Sequence, residues 1–367
     1  MRTFTIEPLH APSMEACRLR IDNLTKPIYS LAMLETIAER FAGILGNPKP
    51  NHLRHGVLVV GADHLVDGPQ NSQHGSESYA AIKRFNEGTT ATQGAAFKLN
   101  ADVHVVNVGL EQDTSRLEHI DTKVVRKGSH FFGVEPVISR EELDRAIELG
   151  FTYADKLHDD GLQVVAIGNI GERAFLDALV TTATITGCAY DDILVHTECG
   201  PTVEQRAAHI HSFVDRFNIA VDDWSALSES ERRDAVLNLL HVAGGLDIAF
   251  LTAFILGAAS HHMAIVFDNA VTGAAVLAAV TIDPLVKDYV FPSAAYDEPI
   301  HKEQCRFLGV KPCLYYNLQI DEALGSTMGL SIINASMHML NDMKTFVEAD
   351  VKAAEDGAGK GRQKNKE

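Results

Sequence analysis

Cysteine is scarce and scattered. Cys17, Cys188, Cys199, Cys305 and Cys313 are odd in number and form no C-x-x-C pair. That pattern excludes a disulfide scaffold and leaves a reduced, cytoplasmic protein as the simplest account. Long apolar runs are missing as well. The longest candidates are broken by Gly, Ser, His and Asp, so no stretch reaches the length that crosses a bilayer, and no membrane is expected as a partner. Positive charge is in deficit: 32 Lys and Arg face 49 Asp and Glu, a formal net charge of −17. This argues against a nucleic-acid partner. The opening MRTFTIEPLHAPSME lacks a charged start followed by an apolar block, so no signal peptide is expected. No internal repeat is visible.

What is present is a large apolar core. The chain of 367 residues is 46% apolar, enough for one big domain or one big and one small. Its centre is Gly244–Asp283. Leu246, Ala249, Phe250, Ala253, Phe254, Leu256 and Gly257 are apolar on nearly every face, which predicts a helix buried all round. Met263–Phe267 reads as an inner parallel strand and Val271–Val280 as a second close-packed helix. Asp268 falls where that strand ends and the next helix begins, the sheet edge at which ligands bind in open α/β folds.

Further inner strands are predicted at Val57–Val60, Val103–Val108 and Val164–Ile167, with a more exposed one at Lys123–Arg126. Helices alternate with them. Ser30 is placed to cap a helix carrying Leu31, Leu34, Ile37, Phe41 and Leu45. Ser139-Arg140-Glu141-Glu142 is a capping box, and Met328–Val347 presents Ile333, Met337, Leu340 and Val347 on one face. Strands alternating with helices predict an α/β fold: a Rossmann-like, mostly parallel sheet with helices on both faces. The N- and C-terminal helices would form a small helical domain. The expected boundaries are 1–50 for the first part of that domain, 51–315 for the large α/β domain and 316–351 for the returning C-terminal helix. The tail 352–367 has almost no apolar content and is expected to be disordered.

Several stretches carry possible chemistry. A strand followed by Gly168-Asn169-Ile170-Gly171 and a helix, with Arg173 in the first turn, fits either an anion-binding helix start or a tight turn that needs glycine. Asp191-Asp192 resembles the acidic pair of diphosphate-sugar transferases, but the Cys188-Ala189-Tyr190 before it is not the usual apolar strand. The pair His261-His262, and His301 with Cys305 or Glu303, match no structural zinc spacing; no metal and no cofactor are expected. Asp321-Glu322 fits helix-start acids or a carboxylate made basic by an apolar wall.

The order of these pieces resembles the nicotinate-nucleotide:dimethylbenzimidazole phosphoribosyltransferase family, from about residue 16 to residue 351. Thr25-Lys26-Pro27 with Ser30-Leu31 and Leu34-Glu35 is similar to its L-T-K-P-x-x-S-L-G-x-L-E. Ala62-Asp63-His64 is similar to A-D-H-G-V, Val106-Asn107-Val108-Gly109 to V-x-V-G, and Gly244-Gly245-Leu246-Asp247-Ile248-Ala249 to G-G-F-E-I-A. Asp268 matches the acid of D-G-F, Pro292-Ser293 the start of S-H-x-S-A-E, and Met343-Lys344-Thr345-Phe346 the closing M-A-T-F. The resemblance implies transfer of phosphoribose from nicotinate mononucleotide to an aromatic lower-ligand base, giving an α-ribotide for cobamide synthesis. It implies small-molecule substrates, no cofactor, and a homodimer or a heterodimer with a paralogue. It places the general base at Glu322, with Asp63, Gly168, Asn169, Gly171, Arg173, Gly200, Asp268, Ser293 and Gly325 around the substrates.

The family's motifs are altered where they carry chemistry. R-L-G-E-G-[ST]-G is here Gln319-Ile320-Asp321-Glu322-Ala323-Leu324-Gly325. G-E-M-G becomes Gly168-Asn169-Ile170-Gly171, G-R-G-T-G becomes His196-Thr197-Glu198-Cys199-Gly200, and a base-pocket Gln becomes Ala80 or Ala81. A second reading therefore stands beside the enzyme: a non-catalytic homologue that acts as partner subunit.

Overall fold

The apolar runs after Arg54 and after Gln163 become the two middle strands of a six-stranded parallel sheet. The computed structural model describes residues 2–66, 75–194, 203–312, 314–315, 318 and 320–352. Gly200 and most of the C-terminal tail lie outside them. The strands are β1 (His55–Ala62), β2 (Asp102–Gly109), β3 (Asp121–Thr122), β4 (Val164–Ile170), β5 (Ala264–Phe267) and β6 (Val290–Pro292), in the order β3-β2-β1-β4-β5-β6. Every pairing is parallel. Parallel strands covered on both faces need apolar residues at every position, and β1 and β4 are buried along their whole length.

The two faces are covered by different helices. On one, helix Arg140–Asp159 packs along Gly245–Ser260, which packs on Ala270–Ile282. Helix Gly245–Ser260 is buried from Gly245 to Ala259, as its missing polar stripe requires. On the other, helix Leu324–Asp342 lies over β4 and β5. The side of β4 that carries Gly168 faces the start of that helix, and Val266 of β5 faces Gly329 within it.

The far half of helix Leu324–Asp342 reaches helix Met33–Ile44, which packs on Ala11–Asp22. Here the Lys-Pro and Leu-Glu pieces of the N-terminal motif find their use. Lys26 Nζ sits 2.9 Å from Glu35 Oε1, both buried, and Arg18 adds a second contact to Glu35 at 3.3 Å. Leu24 bridges antiparallel to Thr345, closing N- and C-terminal segments on each other.

Some expectations are corrected. Lys123–Arg126 is not a strand; the edge strand is Asp121–Thr122, and Lys123 and Val125 only continue isolated bonds to the carbonyls of Asn107 and Val108. Ser30 caps nothing: the helix begins at Met33 behind Ala32, whose φ is 45°. The last helix begins at Leu324, not Met328, and ends at Asp342. Val347 is therefore off its buried face and 87% exposed.

Candidate active site

After β1 the chain moves outward to β2 and β3, whereas β4 leads outward on the other side to β5 and β6. The carboxyl ends of β1 and β4 are thus the point where strand order reverses, and a crevice opens there. A cleft of about 720 Å³ occupies it. One wall is helix Ser76–Asn86, through Ala80, Ala81 and Arg84. The floor is the end of β4 with Gly171, Glu172 and Arg173, and the far wall is Ile320, Asp321 and Glu322.

Asp63, the first residue past β1, is buried just behind this cleft. Its Oδ1 accepts from Ser78 Oγ at 2.5 Å and from the Glu172 N–H at 3.1 Å, and its Oδ2 accepts from the Glu111 N–H at 2.9 Å. Oδ1 ties helix Ser76–Asn86 and the turn after β4 to the sheet and Oδ2 ties in the segment after β2, so Asp63 shapes the cleft from outside its lining. Next to it, His64 is fully buried between Asp177 and Asp247, with Nδ1 on Asp177 and Nε2 3.2 Å from Asp247. Burial alone would lower its pKa; the two carboxylates outweigh that and hold it well above the ordinary histidine value.

The glycine-turn expectation is corrected. Gly168 and Asn169 belong to β4, paired with Val59 and Val60, and the strand ends at Ile170. Gly168 is needed because the Ala323 backbone lies against it, leaving no space for a side chain. Gly171 likewise passes against the Ala62 carbonyl. The helix behind starts at Ala174, with Arg173 as its N-cap residue at φ 64°, not in its first turn. Asn169, Gly171 and Arg173 do line the cleft.

Asp268 lies just past β5, between strand and helix as expected, and its Oδ2 accepts the Ser326 N–H at 2.9 Å at the start of helix Leu324–Asp342. Burial, opposed by that bond and assisted by the charge of Asp321, raises its pKa well above the carboxylate range. Gly325 passes against Asp268 and the Tyr296 hydroxyl, with Ser293 buried nearby under Gly329. These three stand behind the far wall; the cleft lining does not include them.

Glu322 is brought to the cleft. Its Oε1 accepts from Arg84 Nη2 at 2.6 Å, and its backbone carbonyl accepts from Thr92 Oγ1 at 2.6 Å. Of the apolar wall expected from Ile320, Leu324 and Tyr316, Ile320 lines the cleft but is 37% exposed, Leu324 is half-buried outside the lining, Tyr316 lies outside the described residues, and the close neighbour of Glu322 is the Arg84 guanidinium. The acid shifted toward neutrality is Asp321, pushed up to about 6 by burial and by Glu322, against a hydrogen bond from the Asn269 side chain. Asn269 Nδ2 also donates to Asn169 Oδ1 at 2.9 Å. Arg84 and Asn269 were not singled out from sequence. For Arg84 a signal existed: it lies three and four residues after Ala81 and Ala80, hence on their helix face. Among the described residues no group of three His, Cys, Asp or Glu converges as a metal site.

A family model described as Phosphoribosyltransferase matches residues 6–351. The nicotinate-nucleotide–dimethylbenzimidazole phosphoribosyltransferase of Geobacter sp. (strain M21) is 29% identical over 350 residues, 94% of this chain and 97% of that protein. Its namesake from Desulforamulus reducens is 31% identical over 355 residues, 95% and 97% respectively. In fold, the chain is similar to the crystal structure of CobT from Thermus thermophilus, with a TM-score of 0.81 at 24% identity over 94% of this chain and 100% of that one.

Proposed function

The chain belongs to the phosphoribosyltransferase family, and we propose that it moves phosphoribose from nicotinate mononucleotide to an aromatic base, giving an α-ribotide of the kind built into a cobamide. The observation that carries this reading is the pair Asp321–Glu322 facing Ala80 and Ala81 across a cleft of about 720 Å³ at the switch point. Small side chains on one wall leave a slot for a flat ring, and a carboxylate on the other accepts its proton. A base nitrogen bonds to C1′ as the C1′–nicotinate bond breaks. The freed electron pair neutralises the pyridinium, so the leaving group is already activated and no metal or cofactor is called for. The protein holds the partners in line and removes one proton.

We assign first contact with that proton to Glu322. Asn169, Gly171 and Arg173 stand on the floor where the ribose phosphate would lie, with Gly200 as a further phosphate contact. Asp63, Gly168, Asp268, Ser293 and Gly325 hold the walls. The part formed by residues 1–50 and 316–351 would act as a small domain beside the larger 51–315. A homodimer, or a heterodimer with a paralogue, is part of the proposal. So is a cytoplasmic location, which accords with free thiols at Cys17, Cys188 and Cys305 and with the lack, among the described residues, of any helix long and apolar enough to cross a membrane.

The test is incubation of the full chain with nicotinate mononucleotide and a panel of benzimidazoles, purines and phenols, following nicotinate release. Release that depends on the acceptor is expected. Glu322→Gln should lower turnover about a hundredfold to ten-thousandfold while nucleotide affinity stays nearly intact. A wild type that neither binds nor consumes the nucleotide would replace this reading with the partner-subunit one.

A further inference from the structure

Two carboxylates side by side on one cleft wall pose a question that one general base does not answer. Glu322 is held by Arg84, whose Nη2 lies 2.6 Å from Oε1. A proton left on Glu322 would remove the negative half of that pair. Asp321 is placed differently. The neutral amide of Asn269 lies beside it and works against the rise in its pKa, and that amide is fixed from behind. Asn269 Oδ1 accepts from the Thr272 N–H at 2.8 Å, and Nδ2 is anchored on Asn169 at 2.9 Å. Asp321 therefore stands in the wall next to a fixed amide, partly open to the cleft, beside the residue that would first meet the acceptor.

We propose that Asp321 is the resting place of the acceptor's proton, with Glu322, held in place by Arg84, orienting the acceptor and passing the proton on. This rests on the phosphoribosyl transfer proposed above. In the balanced step, the acceptor's N–H proton moves by way of Glu322 to the Asp321 carboxylate. The second ring nitrogen forms its bond to C1′, and the C1′–nicotinate electron pair returns to the pyridine ring. Release of the proton from Asp321 to water resets the pair.

The charges around Asp321 agree with this role. Glu322 is its neighbour in the chain. Helix Ser76–Asn86 brings Glu77 and Arg84 to the cleft, and the turn after β4 brings Glu172 and Arg173. Behind the wall, Asp268 lies just past β5 and Glu298 precedes helix Pro299–Leu308; both are coupled to Asp321 by like charge. Burial and Glu322 together raise its pKa to about 6. A carboxyl there takes a proton near neutral pH and gives it back at little cost. The anion is the working form, so activity should fall as pH drops through about 6.

The experiment compares wild type, Asp321→Asn, Asp321→Glu and Glu322→Gln with nicotinate mononucleotide and 5,6-dimethylbenzimidazole across the acid range. Asp321→Asn should lower kcat about tenfold to a hundredfold, keep the KM for nucleotide within about twofold, and lose the acid limb. Asp321→Glu should restore the limb and much of the rate, which a merely structural role would not do. Glu322→Gln should be slow yet keep a limb, moved to lower pH because the Glu322 charge that helps raise the Asp321 pKa is gone. An Asp321→Asn enzyme with wild-type kcat and an unchanged limb overturns the proposal and leaves the transferase reading standing. A wild type that transfers nothing overturns both.

Discussion

His64 shows how much one side chain can hold in place. It sits between Asp177, on helix Ala174–Thr186, and Asp247, on helix Gly245–Ser260, and neither acid is open to solvent. Removing the cation from such a trio leaves two carboxylates buried without compensation. His64→Ala should therefore destabilise by about 3–5 kcal/mol, read as a lower urea midpoint. The pH dependence has a definite sign. A histidine whose folded pKa is raised contributes fully below its unfolded value, roughly 6.5, and loses that contribution as pH rises through the folded pKa. Asp177, raised by burial, has the same sign but acts earlier, as pH rises from the ordinary carboxylate value through its folded pKa. Wild type should lose stability on the alkaline side, and His64→Ala should lose less of it there. Ala323 is a second single-residue case. It holds φ 60° at the N-cap of helix Leu324–Asp342, fully buried against Gly168. A left-handed alanine carries roughly 1–2 kcal/mol of strain, of which glycine's looser unfolded chain takes back about 0.4–1 kcal/mol. Ala323→Gly should thus raise the thermal midpoint slightly; a lowered midpoint would mean that the alanine methyl group packs better than its backbone suffers.

At the scale of elements, legibility followed continuity of apolar character. β1, β4 and β5 each contain an unbroken apolar run of four residues, helix Gly245–Ser260 contains a longer one, and β2 carries four valines interrupted only by His104 and Asn107. Phe254 in that helix is fully buried, so Phe254→Ala should cost about 3–5 kcal/mol in an unfolding titration. An unchanged midpoint would contradict its central place. β3 is two polar residues and β6 ends in proline, so neither carries a periodic signal, and both depend on a neighbour strand to be strands at all. The start of helix Leu324–Asp342 was illegible for a related reason. Gly325-Ser326-Thr327 reads as a turn, and the Asp268 carboxylate that accepts the Ser326 N–H at the helix start arrives from the end of β5, far away in sequence. The site had the same limit. Glu322 and Asp268 were visible as acids at element ends. That Arg84 would meet Glu322, and that Asn269 would join Asn169 to Asp321, depends on contacts between segments far apart in sequence.

For the whole molecule, the dominant feature left over is charge. The formal net charge is −17, and the cleft does not offset it locally: four carboxylates, Glu77, Glu172, Asp321 and Glu322, line it against two guanidiniums, Arg84 and Arg173. Nicotinate mononucleotide carries a phosphate and a carboxylate, so the field of the protein opposes its approach. Salt screens that field. The Debye length shrinks from about 30 Å at 0.01 M to about 8 Å at 0.15 M, which reaches across much of the surface but only weakly into a closed ion pair. Over that range the KM for nicotinate mononucleotide should fall, by about twofold to threefold for a field of this kind, while the KM for a neutral benzimidazole stays flat. Wild-type KM values for both substrates at several salt concentrations check this directly. A nucleotide KM that rises with salt would mean the opposite balance: cations close to the bound phosphate, Arg173 foremost, would then govern binding more than the acidic surface does. Arg173→Gln, measured in the same series, would flatten the rise.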